Sequence, residues 1–249
     1  MPGRGSVAMG AHAGIEAAGW TNVKRSRPGN EDAFLIATLE RSIPTKDRDR
    51  SAAHGATAGT TGTLLMVADG KGGECDGAFA NGVTGRTSTM ALVLWPVLYV
   101  AHVGDTRCYL LRAGRLSRLT LDHAPEDGVE HEGPERVDPG SELHHVLWNS
   151  LGGGSALPEP RIVKLNLELG DRLLLCSDGL TKQLADARIS SVLCADESGS
   201  SCCATLVELA DARGGSDDLT VLVADVRPSS PVANSNAMHP HGDSPVALH

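Results

Sequence analysis

The chain has 249 residues, 41% of them apolar and only 3% aromatic, so a sizeable core can form from Leu, Val and Ala without disulfide staples. Its 31 acidic residues against 22 basic ones give a net charge of −9 with no basic block, which makes nucleic acid and anionic membranes poor partners. No apolar run approaches the ~18–20 residues of a membrane span, and the N-terminus has no hydrophobic signal core, so a cytoplasmic protein is expected.

In chain order, residues 1–14 are Gly/Ala-rich and read as a disordered N-terminus. Residues 41–62 mix charge with small polar side chains and read as loop. Short apolar or alternating runs then predict strands at 64–68, 97–103, 108–112, 115–119, 172–177 and 219–226. Ala113-Gly114 separates the third and fourth of these as a tight hairpin turn. A helix is expected after Gly179, using Leu180, Leu184 and Leu193. Another is expected after Ser200-Ser201, with Cys203, Leu206, Val207 and Ala210 on one face and Gly214 as its stop. The tail at 228–249 carries Pro, Ser and His and reads as disordered, leaving one domain over 15–227. Strands outnumber helices and do not alternate with them, which argues for a β-rich α+β domain over a doubly wound parallel sheet. The six cysteines form no C-x-x-C pair, and no His stands at zinc-like spacing, so reduced buried thiols are expected.

Particular acids carry the functional signal. Asp69 follows LLMVA, Asp105 follows YVAHVG, Asp178 follows LLLCS, and Asp217 stands just before LTVLVADV. Any one Asp-Gly is an ordinary turn. Four acids at the ends of four buried strands, with Glu31 and Asp32 besides, point to carboxylates held in fixed mutual geometry. Converging carboxylates repel unless a proton or a cation sits among them. An all-oxygen set favours Mg²⁺ or Mn²⁺, and two such ions roughly 3.5–4 Å apart can acidify a water and clamp a displacement at phosphorus. Arg27, four residues before Glu31, is either the guanidinium for the phosphate oxygens or a solvated loop charge.

The segments RSRPGNEDAF (25–34), VADGKGG (67–73), VAHVGDTRCYLLRAGRLSRLTLDHA (100–124), DRLLLCSDGLT (171–181) and GGSDDLTVLV (214–223) occur in that order. Together they resemble the metal-dependent, type-2C serine/threonine protein phosphatases, in particular the bacterial branch. The resemblance implies an antiparallel β-sandwich flanked by helices. It implies that Asp69 bridges two Mn²⁺ or Mg²⁺ ions and that Gly70 lends its carbonyl to one. Asp178 and Asp217 would ligate the other, and Asp105 would help to hold a third, weaker ion. Glu31 would act through metal-bound water, with Asp32 supporting the cluster and Arg27 binding phosphate. The implied reaction is hydrolysis of phosphoserine or phosphothreonine in protein substrates, without a phosphoenzyme. A serine/threonine kinase or its targets are the implied partners, and the chain is expected to be a monomer.

The chain departs from the family in several places. Only residues 71–104 lie between Gly70 and Asp105, too few for the two long helices usual there, so the helical segment is shortened and one sheet face is expected to be bare. Asp218 stands where the family commonly has Asn, and Thr106 replaces Ser. Lys71 follows the Asp-Gly pair and is read as solvated, with proton donation to the leaving oxygen as the other role open to it. A phosphatase-like binding or regulatory module without catalysis is the alternative that the short segment favours.

Overall fold

A computed structural model describes residues 13–23, 29–40, 61–70, 86–123, 149–151, 158–195, 197–214 and 217–228. The strands are β1 (Ala13–Asn22), β2 (Ala33–Glu40), β3 (Thr61–Gly70), β4 (Arg86–Leu94), β5 (Val97–Val103), β6 (Arg107–Arg112), β7 (Arg115–Arg118), β8 (Arg161–Asn166), β9 (Arg172–Cys176) and β10 (Leu219–Pro228). The helices are α1 (Asp178–Thr181), α2 (Asp186–Leu193) and α3 (Gly199–Asp211). Among the described residues two five-stranded sheets form, ordered β1-β10-β9-β6-β7 and β2-β3-β4-β5-β8. Every ladder is antiparallel.

Burial explains why some strands are continuous apolar runs and others alternate. In the first sheet, β9 is buried at every position. Leu173 and Leu175 face the second sheet, in one core with Leu65, Val67, Ala91, Val100 and Leu222. Leu174 and Cys176 face the helices, in another core with Leu180, Ile189, Cys203, Leu206 and Val221. Both faces of this sheet are therefore covered, and each buried Leu contributes about 1.5–3 kcal/mol. In the second sheet β5 alternates between buried and half-buried side chains, as a strand covered on one face does. Its outer face carries the in-register row Leu35, Met66, Met90, Ala101 and Ile162. Leu35 is 45% exposed and Ile162 61%. The apolar outer surface expected from the short 71–104 interval is thus present among the described residues, whereas residues 71–85 lie outside them.

The predicted strands at 64–68, 97–103, 108–112, 115–119, 172–177 and 219–226 correspond to β3, β5, β6, β7, β9 and β10. Ala113 (φ 49°) and Gly114 (φ 76°) both adopt positive φ, the pairing of a two-residue hairpin that follows the strand twist. Several boundaries shift. Ala13 and Gly14, read as disordered, open β1, and β3 starts at Thr61, inside the expected loop. Pro228, assigned to the tail, closes β10. The run TMALVLWPVLYVAHV is two strands, β4 and β5, folded at Trp95-Pro96 and paired Leu94↔Val97. The helix expected after Gly179 is broken into α1 and α2. The cap of α3 is Ser198, whose hydroxyl accepts from the Ser201 N–H, and not Ser200 or Ser201. The five described cysteines are free, four of them buried, as expected for reduced thiols.

Candidate metal centre

Five chain segments deliver acids to one end of the sandwich. Asp69 is the penultimate residue of β3, and Asp178 follows β9 as the first residue of α1. Asp105 lies between β5 and β6, Asp217 and Asp218 precede β10, and Glu31 and Asp32 precede β2. Two glycines permit this convergence. At Gly104 (φ +102°) a Cβ would lie 2.3 Å from the Thr87 side chain, so only glycine turns the chain into Asp105 there. At Gly179 a Cβ would lie 2.1 Å from the Asp218 carbonyl oxygen, so the start of α1 sits directly against the Asp217-Asp218 segment.

Carboxylate oxygens of Asp69, Asp105 and Asp178 all lie within 4.8 Å of one another. Asp217 joins them through Lys182, whose ammonium lies 2.7 Å from Asp178 Oδ2 and 3.0 Å from Asp217 Oδ2. Asp32 is anchored by Ser177, whose hydroxyl donates to Asp32 Oδ2 at 2.7 Å. The Glu31 backbone N–H donates to Asp218 Oδ2 at 2.9 Å. Gly70 closes β3 tightly against Glu31, with a Cβ placed there only 2.9 Å from the Glu31 carbonyl oxygen. Arg27 and Lys71 lie outside the described residues.

Burial beside like charges makes the ionised cluster costly. Asp69 is 8% exposed, and burial, followed by Asp178, Asp32, Asp105 and Asp217, pushes its carboxyl up to about 9. Burial and then Asp105 raise Asp178, against the opposing pull of Lys182. Burial raises Asp32 to about 6, although the Ser177 hydrogen bond works the other way. Asp32 Oδ1 and Asp178 Oδ1 are buried and accept no hydrogen bond among the described residues. Such oxygens call for a proton or a cation, and an all-carboxylate set with a nearby backbone carbonyl suits a hard divalent ion. The residues present therefore fit Mg²⁺ or Mn²⁺.

These shifts set a pH dependence for the protein in chelator. The fold keeps protons on Asp69 up to about 9 and on Asp32 up to about 6, whereas the unfolded chain releases them near 3.8. The folded state thus binds more protons across this window, so stability declines as pH rises from about 4, through about 6 and on towards about 9. Thermal melts in EDTA at pH 5, 7 and 9 should show Tm falling at each step from this cluster. A Tm that rises through the series contradicts the assignment.

A second layer supports Asp105. His102 Nε2 donates to the Leu121 carbonyl at 3.0 Å, which leaves Nδ1 to accept from Thr89 Oγ1 at 2.8 Å. Burial lowers the pKa of this imidazole. The Gly104 N–H and the Asn149 amide both donate to His123 Nδ1, at 3.2 and 2.9 Å. Sequence reasoning singled out neither histidine and missed Ser177 and Lys182. For Lys182 the available signal was its i,i+4 spacing from Asp178.

Comparison with known proteins agrees with this architecture. Residues 9–132 match the sequence profile described as "Protein phosphatase 2C". The serine/threonine protein phosphatase PstP of Mycobacterium tuberculosis is 37% identical over 146 residues, covering 57% of this chain and 27% of that protein. The serine/threonine phosphatase stp of Listeria welshimeri is 30% identical over 145 residues, covering 57% of this chain and 56% of that protein. The chain thus spans about half the length of the Listeria relative and about a quarter of PstP. In structure, the catalytic domain of PstP, crystallised with two manganese ions, superposes with a TM-score of 0.63 at 26% identity, covering 87% of this chain and all of that one. Five ordered motifs, two antiparallel sheets and a carboxylate cluster at their common end agree with these similarities: in sequence and in fold the chain is similar to the metal-dependent, type-2C protein phosphatases.

Proposed function

We propose that this protein hydrolyses phosphoserine and phosphothreonine in other proteins, using two Mn²⁺ or Mg²⁺ ions. The observation that carries this reading is the cluster of Asp69, Asp105 and Asp178, three carboxylates from separate segments with oxygens within 4.8 Å. When bound, the ions supply Lewis-acid activation of water and neutralise charge at phosphorus. The chain's own residues hold and orient. Asp69, the Gly70 carbonyl, Asp178 and Asp217 would hold the two ions, and Asp105 would help to hold a third, weaker one. Glu31 and Asp32 complete the cluster, Asp32 being fixed by Ser177. Arg27 binds the phosphate oxygens through its guanidinium fork. The catalytic domain includes the paired β1 and β10 ends, residues 13–228, and acts as a monomer in the cytoplasm. A serine/threonine kinase or its targets supply the substrate.

The test is phosphate release from phosphoserine and phosphothreonine peptides in EDTA, Mg²⁺ and Mn²⁺. Turnover is expected only with a divalent ion, and none in EDTA. The second reading, a module without catalysis, is favoured by the apolar outer row of the second sheet, Leu35 to Ile162. Cooperatively folded protein that releases no phosphate under any ion would establish that reading instead.

A further inference from the structure

Lys182 caps the C-terminal end of α1, and its side chain folds back over one helical turn. The ammonium stands between Asp178 Oδ2 (2.7 Å) and Asp217 Oδ2 (3.0 Å), carboxylates from two segments far apart in sequence. These are the two acids assigned above to the same ion. An ammonium is a compact point charge with three donors, and one cation bracketed by two carboxylates is also the arrangement that a divalent ion requires. The two cations cannot occupy one pair of oxygens together. The lysine side chain is 41% exposed on a flexible four-carbon stem, so it has a way out to solvent, whereas Asp178 is only 6% exposed and does not.

We propose that Lys182 is a resident counter-cation that competes with the divalent ion for Asp178 and Asp217 and thereby sets the affinity of that side of the centre. This rests on the metal-dependent reading given above. The ammonium offsets repulsion within the acidic cluster and must swing away before an ion is held by these same two oxygens. A lysine that merely braced α1 against the segment before β10 would act in the opposite direction, because losing it would loosen Asp217 and weaken the ion.

Calorimetric titration of Mn²⁺ into the full chain separates these cases, using wild type, Lys182→Gln and Lys182→Arg. Competition predicts a dissociation constant roughly tenfold lower in Lys182→Gln, with Lys182→Arg closer to wild type because its charge is kept. In EDTA, Lys182→Gln should melt below wild type, since the counter-charge is gone. An unchanged or weaker Mn²⁺ affinity in Lys182→Gln overturns the proposal while leaving the metal-dependent reading intact. Binding by Lys182→Gln alone supports it in the extreme, with the lysine outcompeting the ion. Binding by neither protein overturns both. Should Lys182→Gln fail to melt cooperatively, wild type is read through the ¹⁵N signal of its lysine ammonium groups. Saturating Mg²⁺ must release the Lys182 signal from its hydrogen-bonded position, and its persistence there overturns the proposal.

Discussion

Asp69→Asn is expected to lower kcat/KM for metal-dependent phosphate hydrolysis by about 10²–10³-fold or more, and to raise the melting temperature in EDTA. The two effects have one cause. The Asp69 carboxyl is strongly perturbed, pushed up to about 9 by burial and by four other aspartates. At neutral pH the folded protein must therefore keep a proton there or hold a repelled charge, and an isosteric neutral amide removes that cost. The gain should be about 1 kcal/mol or more, a few degrees in Tm for a domain of this size. Asn also removes the anionic oxygen that two ions would share, so activity is lost from a fold that is more stable. Differential scanning calorimetry in EDTA, set beside Mn²⁺-supported turnover, checks both. A variant that melts lower in EDTA, or turns over like wild type, contradicts the electrostatic picture of the cluster.

The largest effect on stability is expected at a buried ion pair away from the centre. Arg172 on β9 and Asp225 on β10 are direct cross-strand partners. Their side chains meet at 2.6 Å (Nε to Oδ1) and 3.1 Å (Nη2 to Oδ2). The same guanidinium donates to the carbonyls of Leu193 at 2.8 Å and Glu197 at 2.7 Å, tying the end of α2 and the approach to α3 onto the sheet. Both side chains are only 9% exposed. Arg172→Met removes the cation and strands Asp225 and the carbonyls of Leu193, Ala195 and Glu197, which costs about 3–5 kcal/mol and roughly 10 °C in Tm. Arg227, whose Nη2 lies 3.3 Å from Asp225 Oδ2, recovers part of this loss. The double variant Arg172→Met/Asp225→Leu should recover more, because it leaves no orphaned charge. Chemical denaturation of the three proteins measures this, and a loss below about 1 kcal/mol for Arg172→Met rules out the keystone role. Mn²⁺ affinity should be unchanged at temperatures where the variant is folded.

How far the sequence could be read followed the physics of each element. β9 and β10 were legible because a strand covered on both faces must be a continuous apolar run, and the β6–β7 turn because Ala113-Gly114 sits at the break between two short strand-like runs. β1 and β2 were not, because each lies at a sheet edge. β2 has no fully buried position, and β1 is built from Ala, Gly and single larger residues that show no period. β4 was not predicted, because no polar residue marks its turn into β5 and Pro96 is the remaining punctuation. The acids were legible as a set, since each of Asp69, Asp105, Asp178 and Asp217 stands at one end of a strand, and the fold brings Asp69, Asp105 and Asp178 together. Ser177, Lys182, His102 and His123 escaped because their roles come from tertiary contacts between distant segments. Spacing along the chain encodes none of those contacts except the one between Lys182 and Asp178.

The measurement that bears most directly on the central claim is p-nitrophenyl phosphate hydrolysis by the purified full chain, first stripped with EDTA and then given Mn²⁺. Turnover that is absent in EDTA, returns with Mn²⁺ and is lost in Asp69→Asn is the predicted result. Hydrolysis that persists in EDTA, or no hydrolysis from protein that melts cooperatively and holds Mn²⁺, would contradict it.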